Sequence, residues 1–219
     1  MDVTVRTPGR WELPIPPGGP PRPEEAMPPW LAERLFDRRM VFLTGRVTPG
    51  PANTAAASLL SLDAVDSRGA TGFTPPLPGR PGEPEPVYLH LAAPDGDLDA
   101  VFTVIDAMDS MRAPVYAVAT GEVGGAAIGV LAAAQRRLAY PHARFRLAEP
   151  AMADLKGTAD DVAAAAGSHL RALEDLVVRV AEATGQPRSR VEDDFSRGRL
   201  LDAEQARAYG LIHEVRGRA

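Results

Sequence analysis

The sequence predicts an α/β fold built on a largely parallel sheet. Three observations carry this. Short apolar runs of strand length recur: MVFLTG at 40–45, VYLHLA at 87–92 and VYAVAT at 115–120. Segments with helical spacing of apolar residues separate them. Glycine-containing turns, APDG at 93–96 and GEVGG at 121–125, follow the second and third runs and open into helices. Strands alternating with helices call for right-handed crossovers, which make successive strands parallel and bury them.

Each element has its own justification. Nine of the 22 prolines lie in residues 1–29. Proline lacks a backbone donor and breaks helices, so this stretch is expected to be a flexible arm preceding one domain over 30–219. Six more prolines fall in 75–86, within an expected loop insertion at 66–86. Trp30, Leu31, Leu35 and Phe36 fit a short amphipathic helix, and PANTAAASLLSLDAV (51–65) a second. In 97–111, Leu98, Val101, Phe102, Ile105 and Met108 share one helical face. A small-residue helix follows the turn at 121–125, and short strands at 137–140 and 144–149 flank Pro141. Thr158 is a cap for a long helix reaching Ala183, with Val162, Leu170, Leu173, Val177 and Val180 at helical spacing. Asp202 with Gln205 forms a capping-box pattern for a last helix stopped by Gly210, and LIHEV (211–215) closes as a strand.

Composition narrows the chemistry. The chain has 219 residues, 45% of them hydrophobic, enough for one domain with a real core. Its net charge of -5 argues against general nucleic-acid binding, which calls for a basic excess. The absence of cysteine excludes disulfides, thiolate catalysis and cysteine-ligated metals. The four histidines, His90, His142, His169 and His213, are too far apart for a helical metal pair, so neither metal nor cofactor is expected. There is no apolar run long enough to span a membrane and no secretory signal at the N-terminus, so the expected compartment is the cytoplasm.

The turns at 93–96 and 121–125 would lie at carboxyl ends of strands, where α/β sheets bind ligands. The N–H groups of Gly96 and Ala126 are candidate donors to an oxyanion or a carbonyl oxygen. Glycine at such turns also serves simply to let the chain reverse.

From Trp30 onward, RRMVFLTGRV, VYLHLAAPDG, GEVGGAAIGVLAAA, YPHARFRLAEP, ATGQP, VEDDF and LDAEQARAYGLIHEV run in an order that resembles the Clp protease proteolytic subunit family. The resemblance implies a crotonase-like α/β subunit, stacked as two rings around a proteolytic chamber. It also implies a Ser-His-Asp triad in which the hydroxyl attacks, the imidazole takes its proton and the carboxylate orients the imidazole. The matching positions here are Gly125, Ala148 and Gly198, so none of the three groups is present. Independently of any resemblance, no Ser, Thr or Cys occurs between Thr120 and Thr158, so no nucleophile can stand on that turn or the helix after it. His142 and Ser196, the latter near Asp193 and Asp194, are the residues left for a rebuilt constellation, and the resemblance does not bring them together at the turn. Asp95 stands in the oxyanion turn, where its charge has the wrong sign for stabilising an anion.

Further implications concern assembly. In the family a strand and long helix, here about 151–183, form a handle joining the rings. An acidic residue and an arginine pair across that contact, at positions matching Asp160 and Arg197. Tyr88 and His90 match an outer face that receives loops of an AAA+ unfoldase; the change to His90 and the different N-terminal segment put that docking in doubt. The expected partners are copies of the chain in a ring, or an active paralogue. The expected role is a catalytically inactive structural or regulatory subunit. A repurposed hydrolase using another nucleophile and a crotonase-type acyl-CoA binder are the rival readings.

Overall fold

The computed structural model describes residues 28–69, 84–151 and 157–217. The elements run in the order α1 (Pro29–Asp37), β1 (Met40–Thr44), α2 (Pro49–Gly69), β2 (Val87–Ala92), α3 (Leu98–Ser110), β3 (Val115–Ala119), β4 (Glu122–Gly124), α4 (Ala127–Ala133), β5 (Arg136–Ala139), β6 (Arg144–Leu147), α5 (Ala159–Thr184), α6 (Arg188–Ser196), β7 (Arg199–Asp202), α7 (Ala203–Tyr209) and β8 (Glu214–Val215). The expected arm at 1–27, residues 70–83 of the insertion and the handle strand near 152–156 lie outside the described residues.

β1, β2, β3, β5 and β8 form a five-stranded sheet in that order, and every pairing is parallel. Alternation decides its faces. Val41 and Leu43, Leu89 and Leu91, and Ala117 and Ala119 stand side by side in register and are buried. They join the helix residues Leu59, Val104, Ile105, Met108 and Leu131 in one core. α2 packs on α3, α3 on α4, and α4 on α5. The opposite face carries Phe42, Tyr88, His90 and Tyr116 and is only partly covered, since Phe42 remains 38% exposed.

A second, smaller sheet has the order β4-β6-β7, with β4 parallel and β7 antiparallel to β6. The sequence reading lacks β4, α6 and β7. Three corrections concern boundaries. α2 extends to Gly69, so residues 66–69 belong to a helix rather than to the loop insertion. The closing strand is only Glu214–Val215, because Leu211 and Ile212 are buried in the approach to it. On α5, Leu176, Val177 and Val180 are buried, whereas Val162 and Leu170 are exposed at 39% and 64%. Only the C-terminal half of that helix faces the core of its own chain.

The expected caps form. Thr158 Oγ1 accepts from the Asp161 N–H while Asp161 Oδ2 accepts from the Thr158 N–H, and Asp202 and Gln205 do the same for α7. Among the described residues one buried cation, Arg137, has no carboxylate partner. The Arg137 guanidinium donates to the carbonyls of Leu211 at 2.9 Å, Ala183 at 2.7 Å and Gly210 at 3.2 Å. Ala183 lies in the last turn of α5 and Gly210 caps α7, so the positive charge sits where helix C-termini are electronegative. The Arg137 N–H donates to His213 Nδ1 at 3.0 Å.

Candidate functional site

The two turns singled out in the sequence meet at the carboxyl end of the large sheet. The first is tied to the β1–α2 connection: the Val47 N–H donates to the Asp95 carbonyl at 3.0 Å, and the Asp97 N–H to the Val47 carbonyl at 2.8 Å. The second is tied to both neighbours, because the Gly124 N–H donates to the Ala93 carbonyl at 2.9 Å and the Gly125 N–H to the Arg146 carbonyl at 3.1 Å. Gly96 and Ala126, the candidate oxyanion donors, are both buried at this junction, and neither N–H donates a backbone hydrogen bond among the described residues.

The small sheet gathers the positions that the family resemblance picks out. Gly124 stands opposite Arg146 in the β4–β6 pairing, so Gly125 lies at the end of β4. Leu147 stands opposite Arg199 in the β6–β7 pairing, so Ala148 and Gly198 are the next positions on adjoining segments. The Glu149 N–H donates to the Phe195 carbonyl at 3.2 Å and closes that corner. Gly125, Ala148 and Gly198 thus fall along one edge of a three-stranded sheet. None of these side chains can attack, take a proton or orient a base.

The charged groups around this edge are committed to one another. Arg46 reaches across from the β1–α2 connection, donating from Nη1 to Asp95 Oδ2 and from Nη2 to Asp97 Oδ1 at 2.8 Å. Its pKa is raised chiefly by the hydrogen bond to Asp97, with the Asp95 charge adding to it. Arg146 bridges Glu122 at 3.0 Å and the Pro94 carbonyl at 3.3 Å. Sequence reasoning missed Arg46, which lies 49 residues from Asp95 and has no motif around it. The Asp95 carboxylate leans over Gly125, and its Oδ1 is buried with no hydrogen-bond partner among the described residues.

The rebuilt constellation weighed from the sequence does not form. Asp194 is buried and held by Arg199, with Nη1 at 3.0 and 3.1 Å from its two oxygens. Asp193 faces Arg197 at 3.8 Å, and both are well exposed. Ser196 and His142 lie at the surface. The nearby Tyr209 ring lies under the guanidinium groups of Arg190 and Arg199, and burial, with Asp194 adding to it, pushes its hydroxyl pKa up, so the phenol stays protonated. No cluster of metal-binding side chains occurs among the described residues.

The remaining candidates lie elsewhere. Asp160 sits exposed in the first turn of α5 and forms no ion pair with Arg197 among the described residues of this single chain. His90 stacks on Phe42 at 4.8 Å, while Tyr88 meets Tyr116 edge-on at 5.7 Å. Burial, then the charge of Arg216, lowers the pKa of His90, so the ring is held neutral.

The parallel sheet, the second small sheet and the junction of two strand-end turns define a mixed α/β protein with a mostly parallel sheet. The chain belongs to the Clp protease family: that family's model matches residues 81–219. It is 31% identical over 184 residues to the ATP-dependent Clp protease proteolytic subunit 2 of Prochlorococcus marinus (strain NATL2A), covering 83% of this chain and 84% of that protein. It is 30% identical over 197 residues to the proteolytic subunit 3 of Synechococcus sp. (strain CC9902), covering 88% and 90%. The corresponding subunit 3 of Synechococcus sp. (strain CC9605) is 29% identical over the same length.

Proposed function

We propose that this chain is a Clp-family subunit without peptidase activity, acting as a structural or regulatory member of a ring-shaped oligomer, alone or with an active paralogue. One observation carries the reading. The edge of the small sheet that would hold nucleophile, base and orienting acid holds Gly125, Ala148 and Gly198, and no Ser, Thr or Cys occurs between Thr120 and Thr158. Catalysis by this route needs a polarisable nucleophile within reach of a base, and neither group exists there.

The assembly role draws support from α5. Its N-terminal half carries Val162 and Leu170 in the open, an apolar surface that a neighbouring subunit would cover. Asp160 and Arg197, both exposed, are the proposed pair across the contact between rings. Tyr88 and His90 are the proposed outer-face docking positions; the tight Phe42–His90 stack leaves less room there for an incoming loop. The proposed organisation is an arm at 1–29 and a domain over 30–219 in the cytoplasm. Among the described residues no helix is long and apolar enough to cross a membrane.

A fluorophosphonate probe, fluorogenic peptides and native mass spectrometry test the proposal together. We expect no labelling, no turnover and a multimeric mass. Labelling or turnover would favour a repurposed hydrolase, and a monomeric mass would remove the assembly role.

A further inference from the structure

We infer that Asp95 is a built-in plug: its carboxylate, latched by Arg46, occupies the space that any side chain at position 125 would need, so position 125 is closed to a nucleophile sterically as well as being without one. The inference rests on the proposed reading only for the meaning of position 125. The contact itself stands on geometry.

A Cβ placed on Gly125 would overlap Asp95 Oδ1, closer than real Cβ atoms approach an oxygen, and would lie 3.1 Å from Asp95 Cγ. Carboxylates move when they are free to rotate; this one is restrained by a partly exposed ion pair. Its other oxygen is bound by Arg46 Nη1, and Arg46 is fixed in turn by Asp97 at 2.8 Å. The backbone on either side is also pinned, through the Val47 N–H on the Asp95 carbonyl and the Asp97 N–H on the Val47 carbonyl. A carboxylate oxygen buried without a hydrogen bond is an unfavourable placement, and Asp95 Oδ1 is so placed. The Arg46 ion pair on Oδ2 compensates and holds the group over the glycine. Gly125 also has φ +53°, a left-handed conformation that disfavours any side chain. Asp95 and Gly125 are therefore interlocked, each tolerable because of the other.

The interlock predicts strong non-additivity, which a stability cycle on the full chain reads without any activity assay. Gly125→Ser in the native background should lower the Tm by about 5–10 °C, from overpacking plus backbone strain. In an Asp95→Gly background the same change should cost only about 2–4 °C, the strain alone. Arg46→Met, which frees the carboxylate to swing out, should recover part of the difference. If Gly125→Ser yields no folded protein, Gly125→Ala in the same backgrounds gives the same comparison. Equal costs of the position-125 change with and without Asp95 would overturn the plug while leaving the proposed inactivity untouched. Probe labelling of the unmodified chain would overturn the inactivity and leave the cycle standing.

Discussion

Leu147 stands opposite Arg199 in the antiparallel β6–β7 pairing, and this single register makes positions 148 and 198 neighbours. The parallel β4–β6 pairing adds position 125 to the same edge. Residues distant in the chain thereby come to one place, and at that place the chemistry of the chain is glycine and alanine.

Restoring one group should therefore restore nothing. Gly125→Ser is expected to leave peptide hydrolysis at background, because the base and its orienting carboxylate are still missing. Enzymes stripped of a triad keep only about 10³–10⁴ over the uncatalysed rate, from binding and oxyanion effects. Turnover by that variant at ordinary protease rates would refute the assignment of Ala148 and Gly198.

Arg137 is a structural staple, and its loss should be severe. Arg137→Met removes the donor shared by the Leu211, Ala183 and Gly210 carbonyls. Leaving several buried acceptors unpaired should cost about 3 kcal/mol or more in urea unfolding. Arg137→Lys should recover less than half of this, since an ammonium cannot present the guanidinium's fork of donors.

The two glycines that end α5 and α7 should respond differently to alanine. Gly185 has φ +70° and open space around it, so Gly185→Ala carries only conformational strain, about 1 kcal/mol. Gly210 has φ +90°, and a Cβ there would also run into the Thr184 carbonyl. Gly210→Ala should be the more damaging by about 1–2 kcal/mol, compared by thermal unfolding.

Acid should weaken the fold through two histidines. Burial lowers the pKa of His90 below its ordinary 6.5, with Arg216 adding to the effect. Burial followed by Arg137 and Arg136 lowers that of His213, whose Nδ1 also accepts the Arg137 N–H and so must stay unprotonated. The unfolded chain takes up these protons near 6.5, while the folded chain resists them. Stability is thus full above 6.5 and falls as pH drops through 6.5 towards the lower folded values. Replacing His90 by Phe keeps a ring against Phe42 and should flatten this acid limb, followed as Tm against pH. An unchanged limb would exclude His90 as its source.

Assembly should depend on Arg197 more than folding does. Among the described residues Arg197 pairs with the exposed Asp193 at 3.8 Å, an interaction of little energetic consequence. Removing one member of an interfacial ion pair costs roughly 2–5 kcal/mol, largely by stranding the other charge. Arg197→Ala should lower the mass seen by light scattering and leave the circular dichroism spectrum as it was. An unchanged mass would remove Asp160 and Arg197 from the proposed contact.

Periodicity and end signals in the sequence were enough to determine the α/β class, the three long strands of the main sheet and the helices with strong caps. These features are local: alternation, a Thr158 or Asp202 hydroxyl or carboxylate within reach of its own first turn, a glycine where a helix must stop. The absence of Ser, Thr and Cys between Thr120 and Thr158 was legible for the same reason, since it is a matter of composition. Tertiary structure decided the rest. β4 and β7 are too short to show a period of their own, and they exist because β6 pairs with both. The apolar spacing along α5 could not separate Val177 and Val180, which meet the core, from Val162 and Leu170, which remain exposed. Nor could any local pattern bring Arg46 to Asp95, or Asp95 over Gly125, because those contacts depend on three separate connections converging at the end of one sheet.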